Sequence, residues 1–146
     1  MFGWFRNKKK GSIPYWILDY QNLDFKKSVK SSIDETNFVV LDCETSGLKK
    51  TDKLVTIGAV KCTSKEIFLD RILDQKYPVI EVGKSAEIHG ELSDEKSIDK
   101  TVLAKELIDF LGNRIIVGHN ICFDIQMINL LLDEMCHIKI RNKYLD

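Results

Sequence analysis

The order of the apolar segments restricts this chain to a small set of folds. Three strand-like runs come first, at 38–41, 54–62 and 66–73, and β-branched residues are frequent in them. Because the connections between these runs are short, we expect an antiparallel meander. A helical apolar stripe, a fourth apolar run at 115–117 and a second helical stripe over 123–135 follow. The sequence therefore predicts an α/β domain in which three strands precede a helix, a strand and a helix.

The first of these helices carries start and stop signals. Ser93 is expected to be its N-cap, and Asp94 and Glu95 would lie in the first turn, where the helix dipole favours carboxylates. Gly112 would end the helix. The apolar positions at helical spacing between these ends are Ile98, Val102, Leu107, Ile108 and Leu111.

Length and composition indicate one globular domain. The chain has 146 residues, of which 44% are apolar and 30% charged, and this balance excludes a disordered or fibrous class. No run of about 18 apolar residues is present, so the sequence predicts no membrane span. The four cysteines, which form no CxxC pair, are expected to be buried thiols in a reducing cytoplasm rather than disulfide or zinc ligands. They are Cys43, Cys62, Cys122 and Cys136.

The charge is unevenly distributed although basic and acidic residues balance at 22 each. Residues 1–30 contain seven basic and two acidic residues, a net charge of +5, so the remainder carries −5. We therefore divide the chain into a basic N-terminal extension, residues 1–36, and a main domain, residues 37–146. A short amphipathic helix is predicted in the extension. It either packs on the domain or contacts phosphates or an anionic membrane surface. Its positions at helical spacing are Trp16, Tyr20, Leu23 and Lys27.

Two carboxylates end the first apolar run. Asp42 and Glu44 are two residues apart, and strand alternation places both on one face. Like charges held together in an apolar setting are costly unless a cation neutralises them, and oxygen ligands favour Mg²⁺ or Mn²⁺ over zinc. Gly47 would let the chain turn and leave backbone groups of Thr45 and Ser46 free for a phosphate or sugar. The alternative is a surface DxE sequence that caps a loop.

A second polar segment follows the fourth apolar run. Gly118-His119-Asn120 precedes the second helix, and Asp124 falls in its first turn. Asp124 could simply respond to the helix dipole. It could also complete a carboxylate cluster around two metal ions, the arrangement that serves in-line phosphoryl displacement.

These segments resemble the motifs of one known family. Asp-Cys-Glu-Thr-Ser-Gly-Leu at 42–48 is similar to the first motif of the DnaQ-like DEDDh exonucleases, and Gly-His-Asn-x-x-Phe-Asp at 118–124 is similar to the second catalytic motif. Residues 57–60 and 88–90 resemble the second strand and a loop of that family. The family includes the proofreading epsilon subunit of bacterial DNA polymerase.

The resemblance implies a ribonuclease H-like mixed sheet. It also implies 3′-to-5′ hydrolysis of nucleic acid to nucleoside monophosphates in the cytoplasm, with DNA as the expected substrate. It implies two Mg²⁺ or Mn²⁺ ions as cofactors. It also implies a single-stranded or frayed 3′ end as substrate and a DNA polymerase as partner. The carboxylates that would carry catalysis and hold the metals are Asp42, Glu44 and Asp124. The substrate-side residues would be Thr45, Leu48, His89 and Asn120.

One family motif has no counterpart in the sequence. The family's HxxxxD motif supplies a general base and a fourth carboxylate on a late helix. The spacing occurs here at His119–Asp124 and His89–Asp94, but the first pair lies in the second motif and the second pair precedes the fourth strand. His137 has Asn142 five residues on. We therefore expect a fold that is incomplete at its C-terminal end and a chain that is nearly inactive alone.

Three questions stay open at this level. The subclass with tyrosine in place of the catalytic histidine stays open, since the distinguishing motif is missing, although the segments at 46–48, 88–90 and 119–120 resemble the histidine type more closely. A binding module that holds 3′ ends without cleaving them is an alternative to the enzyme. A structural remnant with neither property is another.

Overall fold

A computed structural model describes residues 13–26, 32–47, 52–77 and 99–146 of the chain. Its strands are β1 (Phe38–Thr45), β2 (Leu54–Cys62), β3 (Ile67–Lys76), β4 (Ile115–Val117) and β5 (Tyr144–Leu145). Its helices are α1 (Tyr15–Gln21), α2 (Lys100–Leu111) and α3 (Ile121–Cys136), and a 3₁₀ turn spans Ile33–Glu35.

The five strands form one mixed sheet in the order β3-β2-β1-β4-β5. The pairings β1–β2 and β2–β3 are antiparallel, whereas β4 runs parallel to both β1 and β5. The predicted meander and the following helix, strand and helix are thus confirmed. The strand β1 is longer than the apolar run that predicted it, so Asp42 and Glu44 lie within the strand rather than after it.

One face of the sheet carries the helices. The residues Val39, Leu41 and Ile57 on this face are at most 1% exposed, and they pack with the apolar sides of α2 and α3. The other face is open: Val40 on β1 is 42% exposed and Ile72 on β3 is 58% exposed. Because side chains alternate along a strand, Asp42 and Glu44 share the open face with Val40.

The start of α2 differs from the prediction. The N-cap of this helix is Asp99, whose side chain accepts a hydrogen bond from the backbone N–H of Thr101 at 2.8 Å. The prediction of Ser93 as its N-cap is therefore wrong, since a capping carboxylate lies closer to the apolar stripe. Residues 93–98 themselves lie outside the described residues. Val102 is 49% exposed, so it does not belong to the buried stripe.

The N-terminal helix α1 packs on the domain. It is shorter than the predicted spacing, and its buried residues are Ile17 and Tyr20. The hydroxyl of Tyr20 donates to Oδ1 of Asn142 at 2.7 Å and accepts from the N–H of Arg141 at 2.8 Å. Because Ile17 and Tyr20 belong to the same apolar core as the sheet, α1 contributes to the stability of the domain. Lys27 lies outside the described residues.

All four cysteines are free thiols. Cys43, Cys62 and Cys136 are partly buried, but Cys122 is exposed on the first turn of α3. The prediction of a buried thiol is therefore wrong for Cys122, because its side chain lies beside the exposed Tyr144 of the edge strand β5. No helix in the described part of the chain is long and apolar enough to cross a membrane.

Candidate functional site

The three parallel strands β1, β4 and β5 end at one edge of the sheet. Polar residues follow or close each of these strands: Asp42 and Glu44 on β1, Asn120 after β4, and Asp146 after β5. In α/β folds, ligands bind outside the carboxyl ends of parallel strands. This edge, which we call the carboxyl edge, is therefore the candidate site.

Asp42 and Glu44 are unengaged carboxylates on the open face. Both side chains are exposed, and neither has a hydrogen bond or ion pair among the described residues. Asp42 is paired across the strands with Gly58, and a side-chain carbon built at Gly58 would meet no atom within 4 Å. Asp42 thus borders an open space in which a ligand can contact it.

Asp124 reaches the same edge from the start of α3. The last residue of β1 paired with β4 is Val40, so the backbone N–H of Cys43 lies beyond the end of β4. The Oδ1 atom of Asp124 accepts a hydrogen bond from this N–H at 3.0 Å. Asp124, which is 5% exposed, thereby ties the first turn of α3 to the strand that carries the other two carboxylates.

The folded domain disfavours the ionised form of Asp124. Burial raises the pKa of this carboxyl, and the negative charge of Asp42 raises it further, while hydrogen bonds from Cys43 lower it. Burial also raises the pKa of the Cys43 thiol, and the charges of Asp124 and Asp42 add to that effect. Two acids and a thiol therefore share this end of β1, and a bound cation would offset the cost of ionising Asp124.

The approach of the β4–α3 turn to β1 requires glycine at position 118. A side-chain carbon there would lie 2.5 Å from the carbonyl oxygen of Leu41 and 2.8 Å from Cδ1 of Ile121. Both distances are shorter than van der Waals contact. Gly118 therefore allows the turn to pass directly against the residue before Asp42.

The turn then fixes Asn120 in a left-handed conformation. Asn120 is the N-cap of α3 with φ of 51°, a conformation that asparagine tolerates better than most residues. Its backbone N–H donates to Oδ1 of Asp146 at 2.6 Å, so the residue after β5 holds the turn after β4. The preceding residue, His119, is exposed.

The contact of Asp146 with the turn after β4 was not predicted from the sequence. The signal that could have found this contact is the position of Asp146. It directly follows a parallel strand at the same edge as Asp42 and Asn120. Cys43 was likewise considered only as a thiol, whereas its backbone N–H is the group that positions Asp124.

The other predicted substrate-side groups that the structure describes already have hydrogen-bond partners within the protein. The hydroxyl of Thr45 donates to the carbonyl oxygen of Gly47 at 2.6 Å. The N–H of Ser46 donates to the carbonyl oxygen of Lys53 at 2.9 Å, so the expectation that this N–H is free for a phosphate is wrong. The N–H of Ser46 instead takes part in the hydrogen bonding that closes the β1–β2 connection. Leu48 and His89 lie outside the described residues.

The donor set at the carboxyl edge fits a hard divalent cation in its chemistry. Asp42, Glu44 and Asp124 offer only carboxylate oxygens, the ligands that Mg²⁺ and Mn²⁺ prefer. Within the residues that the structure describes, however, no three His, Cys, Asp or Glu side chains lie together as a metal-holding group. Two carboxylates are free on the open face, and the third is engaged by Cys43.

Residues 39–146 match the RNase_T family model, which is described as an exonuclease. The PolC-type DNA polymerase III of Thermotoga petrophila is 33% identical to this chain over 138 residues, which cover 90% of this chain and 10% of that protein. The DNA polymerase III subunit epsilon of Rickettsia prowazekii is 30% identical over 97 residues, 62% of this chain and 42% of the subunit.

Two solved structures share the fold. A zinc-bound complex of E. coli exonuclease I with single-stranded DNA has a TM-score of 0.56 and 15% identity. E. coli exonuclease I with a dA16 oligonucleotide has a TM-score of 0.53 and 16% identity. The matches cover 76% and 77% of this chain and 28% of each solved chain. The likeness to these structures confirms the predicted ribonuclease H-like sheet.

The chain spans about a tenth of the length of the PolC-type relative, so the match concerns one domain of that protein. The family model covers most of the chain, and the motifs at 42–48 and 118–124 both lie inside the matched residues. The chain belongs to the DnaQ-like exonuclease family.

Proposed function

We propose that this chain is a metal-dependent 3′-to-5′ exonuclease domain that acts on single-stranded or frayed DNA. The observation that carries the proposal is that Asp124 is bound to the backbone N–H of Cys43, the residue between Asp42 and Glu44, at the carboxyl edge of a domain of this family. The products would be nucleoside monophosphates. A DNA polymerase as partner is supported by the polymerases among the relatives, and the four free thiols favour the reducing cytoplasm.

The three carboxylates would hold two Mg²⁺ or Mn²⁺ ions. When bound, such ions stabilise charge on the scissile phosphate and generate a nucleophile from water. The chain's own contribution is to keep Asp42 and Glu44 free of competing partners and to anchor Asp124 on Cys43. Asn120, in the turn held by Asp146, would contact the terminal nucleotide.

Proton transfer is the weak step in this arrangement. The two histidines that the structure describes, His119 and His137, are exposed and make no hydrogen bond to the three carboxylates. A missing general base costs about 10²–10⁴-fold in rate. We therefore expect the 146-residue chain to hydrolyse DNA slowly, and rapid Mg²⁺-dependent degradation would contradict this part of the proposal.

The experiment compares the wild-type chain with Asp42→Asn and with the control Asp19→Asn, which changes an exposed carboxylate on α1. A 3′-labelled single-stranded oligonucleotide reports nucleotide release, and Mn²⁺ titration of the melting temperature reports metal binding. We expect release and the Mn²⁺-induced rise in melting temperature to be lost in Asp42→Asn and kept in Asp19→Asn.

Other outcomes separate the alternatives. Binding of the oligonucleotide end without release, even at high protein concentration and with Mn²⁺, would indicate a 3′-end binding module. Neither binding, release nor Mn²⁺ stabilisation would indicate a structural remnant. An Asp42→Asn chain with unchanged release would exclude the carboxyl edge as the active site.

A further inference from the structure

A group of basic side chains lies at the other end of β1 from the carboxylates. It consists of Lys61 on β2, Arg71 on β3 and Arg114 just before β4, and we call it the basic cluster. Lys61 is paired with Val39 of β1, three residues before Asp42. Because Val39 faces the helices, Lys61 lies on the helix-bearing face, opposite Asp42 and Glu44. The two groups are about 10 Å apart along the strand, at about 3.3 Å per residue, and on different faces of the sheet.

Two of the three cations each lie over a phenylalanine ring, and the third is bound to the backbone of one of these phenylalanines. The Nζ atom of Lys61 is 4.4 Å from the centroid of the Phe110 ring, and Nη1 of Arg114 donates to the carbonyl oxygen of Phe110 at 3.3 Å. The guanidinium carbon of Arg71 is 4.7 Å from the centroid of the Phe68 ring, and Phe68 is the strand partner of Lys61. The cations and rings thus alternate across one small surface.

The charge of this surface is almost uncompensated. Of the three cations only Arg71 has an ion-pair partner among the described residues, the exposed Asp70 at 3.9 Å. Burial lowers the pKa of Lys61, and the charges of Arg114 and Arg71 lower it further. Burial and Arg71 also lower the pKa of Arg114. Like charges held together in this way favour an anionic ligand, which would remove the repulsion.

We propose that the basic cluster binds phosphates of a single-stranded nucleic acid at nucleotides upstream of the 3′ end. This inference rests on the proposed function, since it concerns the same substrate at a second surface. Two features favour nucleic acid over an acidic protein. Guanidinium groups match phosphate geometry, and cations interleaved with aromatic rings are typical of surfaces that bind single strands. Arg71 lies on β3, an edge strand of the sheet, so a strand of several nucleotides that passes around this edge is long enough to reach both faces.

The test measures binding in EDTA, so that hydrolysis does not enter. Anisotropy of a 5′-labelled oligo-dT of 16 nucleotides is titrated with the full chain at several salt concentrations. The variant is Lys61→Gln with Arg71→Gln, because Arg114 also caps carbonyls of α2. The control is Lys65→Gln with Lys105→Gln, which removes the same charge from two exposed surface lysines.

We expect the variant to bind about 10-fold more weakly near 0.1 M salt, and its slope of log K against log salt to fall by about 1.4, or 0.7 for each phosphate contact. Arg71→Gln alone should give half that change in slope. The control should keep the wild-type slope. Unaltered melting temperatures will show that all variants are folded.

Three results would overturn the inference. The variant and the control could lose affinity equally, which would indicate a general charge effect. A poly-glutamate peptide could compete as well as an oligonucleotide of equal charge, which would indicate an acidic protein ligand. The wild-type chain could fail to bind at 50 mM salt. Nucleotide release by the same proteins is scored separately with Asp42→Asn, so failure of the enzyme and failure of the basic cluster are distinguishable.

Discussion

The two ends of the central strand β1 carry opposite charge. At the carboxyl edge, Asp42 and Glu44 lie on β1 and Asp124 is bound to the N–H of Cys43 between them, with a cost in ionisation at Asp124. At the other end, the basic cluster gathers three cations with lowered pKa values at Lys61 and Arg114. The net charge of the chain is zero, so it hides this polarity. This polarity supports the proposal that each end of β1 binds a ligand of opposite charge.

The sharpest test of this comparison is Asp124→Asn. The amide oxygen can still accept the hydrogen bond from Cys43, but the charge is gone. Loss of a supporting residue around a metal typically costs about 10–100-fold, so loss of a ligand should reduce nucleotide release by at least about 100-fold and abolish the Mn²⁺-induced rise in melting temperature.

The same variant should be at least as stable as the wild type without metal. Because the folded-state pKa of Asp124 is raised, the folded state favours the neutral acid, and this preference is lost as the pH rises through the folded-state pKa. Ionised Asp124 therefore costs stability at pH 7, and asparagine does not. Urea unfolding in EDTA measures the difference, and a clear loss of stability would show that the charge is structural.

Gly118→Ala should break the carboxyl edge by sterics instead of charge. The new carbon would lie 2.5 Å from the carbonyl oxygen of Leu41, which forces the backbone to shift. We expect a loss of about 1–3 kcal/mol in the free energy of unfolding, measured with urea. The control is Gly58→Ala, whose new carbon has open space. Equal effects at the two positions would contradict the close approach.

Tyr20→Phe tests the hydrogen bonds that support the end of β1 near the basic cluster. Tyr20 binds Asn142, and the amide of Asn142 donates to the carbonyl oxygens of Gly112 and Arg114. Losing one hydroxyl leaves buried groups unsatisfied and should cost about 1–2 kcal/mol. The matched control is Tyr15→Phe, since Tyr15 is 84% exposed. An equal loss of stability in this control would contradict a special role of the buried Tyr20 hydroxyl.

A pH titration sharpens the same test. Burial raises the pKa of Tyr20 from 10.0 to about 12. The stability that depends on the neutral phenol is therefore complete below pH 10 and is lost as the pH rises toward about 12. The wild type should lose more stability than Tyr20→Phe over this range, and parallel pH profiles would argue against a buried phenol.

Gly58→Val has the smallest expected effect. Valine fits a strand and meets no atom within 4 Å at its first carbon, so stability should not fall. Its side chain would occupy the space beside Asp42 and should slow nucleotide release by about 10-fold. The control Thr56→Val lies beside Glu44 on β2 and adds no bulk. Unchanged release by Gly58→Val would mean that the ligand does not use this space.

Alternation and local signals predicted much of this molecule. The strand β4 was predicted with its observed bounds, and period-two alternation placed Asp42 and Glu44 on one face. The bond from Cys43 to Asp124 could not be predicted from sequence, because it joins residues 81 apart and depends on where β4 ends. The N-cap of α2 was wrong because Ser93 and Asp99 both suit that position locally, and tertiary packing selects between them.

The hydrogen bonds between Tyr20 of α1 and the segment around Asn142 have a consequence for folding during synthesis. Tyr20 leaves the ribosome more than a hundred residues before its two partners, because the contacts span 121 and 122 positions. Its ring can pack against the nearby Phe25, but its hydroxyl stays without these two partners until they are synthesised. Contacts of such long sequence separation slow folding. We expect the hydrogen bonds of Tyr20 to form after the β1–β2–β3 meander has paired.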